Sequence, residues 1–210
     1  MKKSSLGYLL LPAMMALGGC ATMSGEECAT GDWEAIGYED GARGLTTEQF
    51  SSRRKACAKH GITPDFRAYQ EGRDEGLVEY CQPGRGYSLG ARGQAYHGVC
   101  DVALEEEFLD AYRVGQQLYS LQSAVDRGYS SIRSRESRLS DIEAEISDSE
   151  AALISEDTTT EERVRLLADL KRLSEQTGEL EAEIEELHRD VARAELELAE
   201  YRNVVASFGY

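Results

Sequence analysis

The chain has 210 residues, 23 Lys and Arg against 39 Asp and Glu for a formal charge of −16, and five cysteines beside one Trp, four Phe and three Pro. Phosphate-backbone binding needs clustered cations that displace counterions, so this balance argues against a nucleic-acid partner. At 41% hydrophobic and 30% charged, the composition fits neither a polytopic membrane protein nor a disordered chain, and the length allows one or two domains.

Lys2 and Lys3 precede an apolar run from Leu6 to Leu17, which ends in Leu17-Gly18-Gly19-Cys20. This order reads as an export signal over residues 1–19. The run is shorter than the ~20 apolar residues a membrane span requires, and Pro12 interrupts it. Its ending resembles the lipobox of bacterial lipoproteins, whose cysteine is lipidated and becomes the new N-terminus. The resemblance implies lipidation of Cys20 and, with Ala21 following, sorting to the outer membrane. Residues 20–27 would then be a tether.

Composition changes near position 104. Residues 20–104 hold all five cysteines, whereas residues 105–210 hold 26 acidic and 12 basic side chains and no cysteine. The expected organisation is a cysteine-, glycine- and tyrosine-rich helical domain over 28–104, followed by a helical hairpin over 105–206.

In the front region, Asp32 to Tyr38 begins a short helix that Gly44 can end. Thr46-Thr47-Glu48-Gln49 offers a capping box for a second helix running to Lys59, with Gly61 as its stop. Thr63-Pro64 suits the start of a third, because Thr caps well and Pro fits the first helical turn. It reaches about Tyr80, before Gln82-Pro83-Gly84 breaks it. A tyrosine-glycine spacing recurs at Tyr38/Gly41, Tyr69/Gly72, Tyr87/Gly90 and Tyr112/Gly115. Residues three apart share a helix face, and interior glycines weaken a helix unless backbones approach closely. Tight packing of small helices is the first reading. The second is a surface for a cell-wall glycan or peptide, made of Trp33, Tyr38, Tyr69, Tyr87 and Tyr96.

With Cys20 lipidated, Cys28, Cys57, Cys81 and Cys100 remain, and in an exported domain they imply two disulfides. If the helices at 47–59 and 64–80 form a hairpin, Cys57 lies near its turn and Cys81 at the far end. They would stand ~25 Å apart, beyond the ~7 Å Cα limit of a bridge. The first two helices bring Cys28 towards Cys57, so the expected pairs are Cys28 with Cys57 and Cys81 with Cys100. An alternative takes Cys57, His60, His97 and Cys100 as zinc ligands.

The ordered series Gly31-Asp32-Trp33, Asp40-Gly41, Cys57, Pro64-Asp65, Tyr69, Gly72, Gly76, Tyr80-Cys81, Gly90, Gly93, Tyr96, Val99-Cys100 and Ala111-Tyr112 with Gly115 resembles a family of proteobacterial lipoproteins classed as domain of unknown function 2799. The resemblance spans about residues 28–118. It implies an envelope location and a single shared domain, and it brings no activity.

Asp101 can cap a long helix in which Leu118, Val125, Ile132, Leu139, Ile146 and Leu153 recur every seven residues. A polar break near 155–160 is followed by a second helix with an almost unbroken 3-4 repeat, from Leu166, Leu170 and Leu173 to Leu198, Tyr201 and Val205. Each arm would be ~70 Å long. Folding about residue 157 sets Arg127, Arg133, Arg135 and Arg138 against Glu179 to Glu186, and Asp141, Glu143, Glu145 and Asp148 against Arg163, Arg165, Lys171 and Arg172. Opposed charge blocks select this antiparallel register.

The expected fold is therefore all-α: a small disulfide-linked helical domain, then a long antiparallel coiled-coil hairpin. His60, His97 and His188 are the only histidines, and no nucleophile elbow, phosphate loop or zinc-helix motif occurs. The expected function is that of a non-enzymatic, cofactor-free envelope lipoprotein on the periplasmic side of the outer membrane. It would be tethered to lipid through Cys20 and would meet an envelope protein or cell-wall partner through its hairpin.

Overall fold

A computed structural model describes residues 23–208. Among these residues there are seven helices and no strand: α1 (Gly25–Thr30), α2 (Trp33–Ala42), α3 (Glu48–Ala58), α4 (Phe66–Tyr80), α5 (Pro83–Ala91), α6 (Val102–Ile154) and α7 (Thr160–Ser207). Two compact units divide between Gly76 and Leu77, inside α4. The composition change at 104/105 instead falls in the first turn of α6, whose early residues Phe108 and Tyr112 belong to the second unit's core.

In the first unit, order begins earlier than a tether over 20–27 allows. The Ser24 side chain accepts from the Glu27 amide and the Glu27 carboxylate accepts from the Ser24 amide, a reciprocal cap that starts α1. Asp32 caps α2 through the Ala35 amide. The box expected at Thr46 and Gln49 does not form. Thr47 is already helical in its backbone angles and makes no side-chain cap bond, while Thr46 offers only its carbonyl to the Gln49 amide. Asp65, not Thr63, starts α4: its carboxylate accepts from the Ala68 amide at 3.0 Å. Pro64 disfavours helical angles at the residue before it, which keeps Thr63 outside. Cys28, Trp33, Phe50, Cys57 and Tyr69 form the core, with Phe50 and Tyr69 ring centres 4.7 Å apart.

In the second unit, the Gln82-Pro83-Gly84 break is also a beginning. Pro83 occupies the first turn of α5, where its missing N–H costs no hydrogen bond. Asp101 caps α6 through the Ala103 amide. Leu77, Tyr80, Cys81, Phe108 and Tyr112 form the core under α5, and α6 then pairs with α7 as an antiparallel hairpin.

The two units repeat one local design. Gly37-Tyr38-x-x-Gly41-Ala42-Arg43-Gly44 reappears as Gly86-Tyr87-x-x-Gly90-Ala91-Arg92-Gly93. Arg43 and Arg92 each close their helix. Gly44 and Gly93 follow at φ 68° and 66°, angles that glycine adopts without strain. The Gly44 and Gly93 amides donate to Gly41 and Gly90, and those of Leu45 and Gln94 donate to Asp40 and Leu89. The helix crossings match as well. A Cβ on Gly37 would strike the Tyr69 carbonyl of α4, and one on Gly86 the Phe108 carbonyl of α6; Gly76 faces the Tyr38 carbonyl and Ala42 amide as Gly115 faces Tyr87 and Ala91. These four crossing glycines thus seat opposing backbone, whereas Gly93 lies against the ring of Tyr119.

Candidate interaction surfaces

The hairpin is built by an unequal pair of seams. The α7 repeat buries Leu173, Leu180, Val191, Leu198 and Val205, while α6 contributes Val125, Ile132 and Ile142. Cross-links between the arms follow the antiparallel register: Tyr129 donates to Glu195 at 2.7 Å, Arg202 to Gln122 at 2.7 Å, and the Tyr201 hydroxyl to the Val114 carbonyl at 3.1 Å. Arg135 and Glu183 form the one ion pair between the arms among the described residues. The other expected cross-pairs are not made. Lys171, Arg172, Arg189 and Arg193 instead pair with acids three or four residues away on α7, where helix spacing brings charges together at little cost.

At the tip, Thr159 and Glu162 form a capping box, and these hydrogen bonds hold the Glu162 carboxyl below its usual range. Arg163 donates to the carbonyls of Leu153, Ser155 and Thr158, satisfying the end of α6. Ile154, Val164 and Leu167 are exposed around this turn.

The first unit holds a buried polar centre. Asp40 is 1% exposed and accepts both arms of the Arg53 guanidinium together with the Tyr69 hydroxyl at 2.9 Å. Burial first, and then the bond to Asp40, push the Tyr69 phenol up to about 12. Asp40 also raises Arg53 further above its ordinary value. Both carboxylate oxygens of Asp40 accept from side chains of α3 and α4, so this centre ties α2, α3 and α4 together.

Cys20 lies outside the described residues. Cys28 is bonded to Cys57 and Cys81 to Cys100, with Cα separations of 5.5 and 5.7 Å, in the order expected from helix geometry. The zinc alternative at Cys57, His60, His97 and Cys100 is thereby removed: both sulfurs are committed to different disulfides, leaving no thiolate to bind metal.

Three of the five expected surface aromatics are engaged within their own units. Trp33 and Tyr69 are buried in the first core, and Tyr96 packs 4.9 Å from Phe108 while accepting from the Cys100 amide and donating to Glu105. Their ring faces are spent on packing. Tyr38 is 42% exposed and lines a groove of about 540 Å³ with Asp32, Glu34, Ala35, Glu39 and Glu75. Tyrosine spacing alone does not reveal this groove.

Residues 32–117 match the model of a family described as protein of unknown function (DUF2799), so the match covers α2 to α5 and the first turns of α6. It therefore spans both copies of the repeated design and leaves most of the hairpin outside. No curated protein and no solved structure matches the chain.

Proposed function

We propose that this is a non-enzymatic envelope lipoprotein, held by Cys20 on the periplasmic face of the outer membrane and acting through the α6–α7 hairpin as a structural or interaction module. The observation that carries the reading is the hairpin: helices of 53 and 48 residues joined by a capped turn. At 1.5 Å per residue the shorter arm reaches ~70 Å, a length suited to holding contacts at a distance rather than enclosing a substrate. Exposed Ile154, Val164 and Leu167 give its tip apolar contact points. Among the described residues no helix is long and apolar enough to cross a membrane, so attachment would fall to the lipid. Two or more acyl chains hold a protein stably where one does not.

Two measurements test the reading. Radiolabelled palmitate should enter the wild-type protein and not the Cys20→Ser variant, which should also leave the membrane fraction. A photo-crosslinking residue at Val164 or Leu167 in intact envelopes should give a discrete protein adduct that a probe at Glu71 on α4 does not. An unlabelled wild type, or tip probes no different from the α4 control, would overturn it.

A further inference from the structure

One stretch reverses the charge of this acidic chain. Between Glu48 and Asp65 there is no acid, and Arg53, Arg54, Lys55 and Lys59 gather in the second half of α3 and at its end. Arg53 is drawn inward to Asp40. Arg54, Lys55 and Lys59 are exposed and form no ion pair among the described residues. Lys55 and Lys59 are one turn apart and share a face. Arg54 borders a cavity of about 410 Å³ with Phe50, Pro64 and Phe66, whose ring is half-exposed. Glu48 sits in the first turn of α3, at the opposite end from Lys59, and the carboxylates of Glu27 and Asp65 are engaged as helix caps. Glu26 of α1 is exposed and is outnumbered by the three free cations. The same end of α3 receives the N-terminal segment. Cys28 of α1 is bonded to Cys57, Gly25 lies against the His60 ring, and Met23 packs on the first core as Ile62 does. Cys20 precedes Met23 by three residues, which can span at most about 11 Å. A lipid on Cys20 therefore brings this end of α3 close to the ~8–10 Å over which surface charge acts at ordinary ionic strength.

We propose that the second half of α3, with Phe66 beside it, is a membrane-facing surface that binds the phosphate headgroups of anionic phospholipids in the leaflet that holds Cys20. The inference rests on the reading of Cys20 as an anchor and gives that anchor a second element. A lipid chain and a basic patch act together, and each basic side chain adds attraction to an anionic surface. Phe66 offers an aromatic ring to the apolar side of the headgroup layer, as interfacial helices do. Residues 105–210, with 26 acids against 12 bases, are repelled by the same headgroups, which leaves the attraction to this stretch.

The probe is a vesicle of phosphatidylcholine, or of phosphatidylcholine and phosphatidylglycerol in equal amounts, each carrying a maleimide-headgroup lipid. Residues 20–210, which include every described residue, are coupled to it through Cys20, because the other four cysteines are bonded in pairs. Within residues 20–210 the lysines are Lys55, Lys59 and Lys171, so acetylation by a neutral reagent, read by mass spectrometry, reports on the surface directly. Lys55 and Lys59 should react about fivefold more slowly on the phosphatidylglycerol vesicles, the factor that one basic side chain contributes near an anionic surface. Lys171, paired with Glu175 in the acidic arm, should be unchanged. Salt at about 1 M, where the screening length is about 3 Å, should remove the protection. Arg54→Glu with Lys59→Glu should release Lys55 while circular dichroism stays the same, both positions being exposed. Equal rates on the two vesicles, equal protection of Lys171, or protection of Lys55 that survives the double reversal would overturn the proposal. So would sedimentation of the uncoupled protein showing salt-sensitive self-association that the double reversal abolishes, which assigns the patch to the acidic hairpin of a second copy. Because the maleimide supplies the anchor, absent protection counts against the surface alone, whereas absent palmitate on the native protein counts against Cys20 alone.

Discussion

A Cβ placed on Gly76 would come within 3.0 Å of the Tyr38 carbonyl oxygen, an atom of backbone that cannot rotate aside. Alanine is the better helix former by about 1 kcal/mol, but overpacking typically costs about 1–3 kcal/mol, so the clash wins. Gly76→Ala should lower stability by about 1–2 kcal/mol on this balance. Trp33 is buried in the first core, so its fluorescence transition in urea should shift. Gly115→Ala, which meets Tyr87 in the same way, should shift the helical dichroism transition instead. Gly178→Ala meets nothing within 4 Å and should stabilise the hairpin by about 0.5–1 kcal/mol.

The Asp40 centre has a pH signature. Tyr69 donates to Asp40 and is pushed up to about 12 by burial and that bond, against about 10 in the unfolded chain. Between these values the native state binds more protons than the unfolded one, so stability is full below pH 10 and falls as pH rises towards 12. Base titration followed by Trp33 fluorescence should show this loss, and Tyr69→Phe should flatten it. Asp40→Ala, which strands the partly buried Arg53, should cost about 3–5 kcal/mol, the range for removing one member of a buried pair.

Reduction should be damaging in both units. The disulfides close loops of 29 and 19 residues, for which the chain-entropy account gives about 3–4 kcal/mol each. Thiol titration of the denatured, unreduced protein should find no reactive sulfur at Cys28, Cys57, Cys81 or Cys100. Four should appear after reduction, together with a lower unfolding midpoint. Partial reactivity that a chelator increases would contradict this bonding.

Much of the architecture was legible because it depends on periodicity and length. The 3-4 repeat from Leu166 to Val205 specifies a coiled-coil arm without tertiary information, and a rise of 1.5 Å per residue sufficed to separate Cys57 from Cys81. Helix α5 was not legible. Pro83, Gly84, Gly86 and Gly90 read locally as breakers, and the helix is held by the approach of its glycines to α6, a contact that no local propensity encodes. The burial of Tyr69 was hidden for a related reason: spacing places it on a face, and only the fold puts Phe50 and Trp33 against it. The charge blocks were legible as register but not as bonds, because acids three or four residues away on α7 satisfy most of its cations first.

That distinction decides which substitutions break the hairpin. Arg135 and Glu183 are both substantially exposed, and exposed pairs contribute about 0.2–1 kcal/mol, so Arg135→Glu should barely move the helical transition. Arg133 donates to Ser130 on its own helix and Arg138 makes no interhelix ion pair among the described residues, so adding Arg133→Glu and Arg138→Glu should act mainly by enlarging acid-acid repulsion. That effect should fade in salt, because exposed charges are screened within about 10 Å at 0.1 M. Leu173 is 1% exposed between Ile142 and its neighbours, and Leu173→Ala should cost about 2–5 kcal/mol at any salt concentration, since the loss is of packing and transfer rather than charge. Urea melts of the three variants at low and high salt separate the two contributions. A Leu173→Ala cost no larger than that of Arg135→Glu would mean that charge, and not the leucine seam, holds the arms in register.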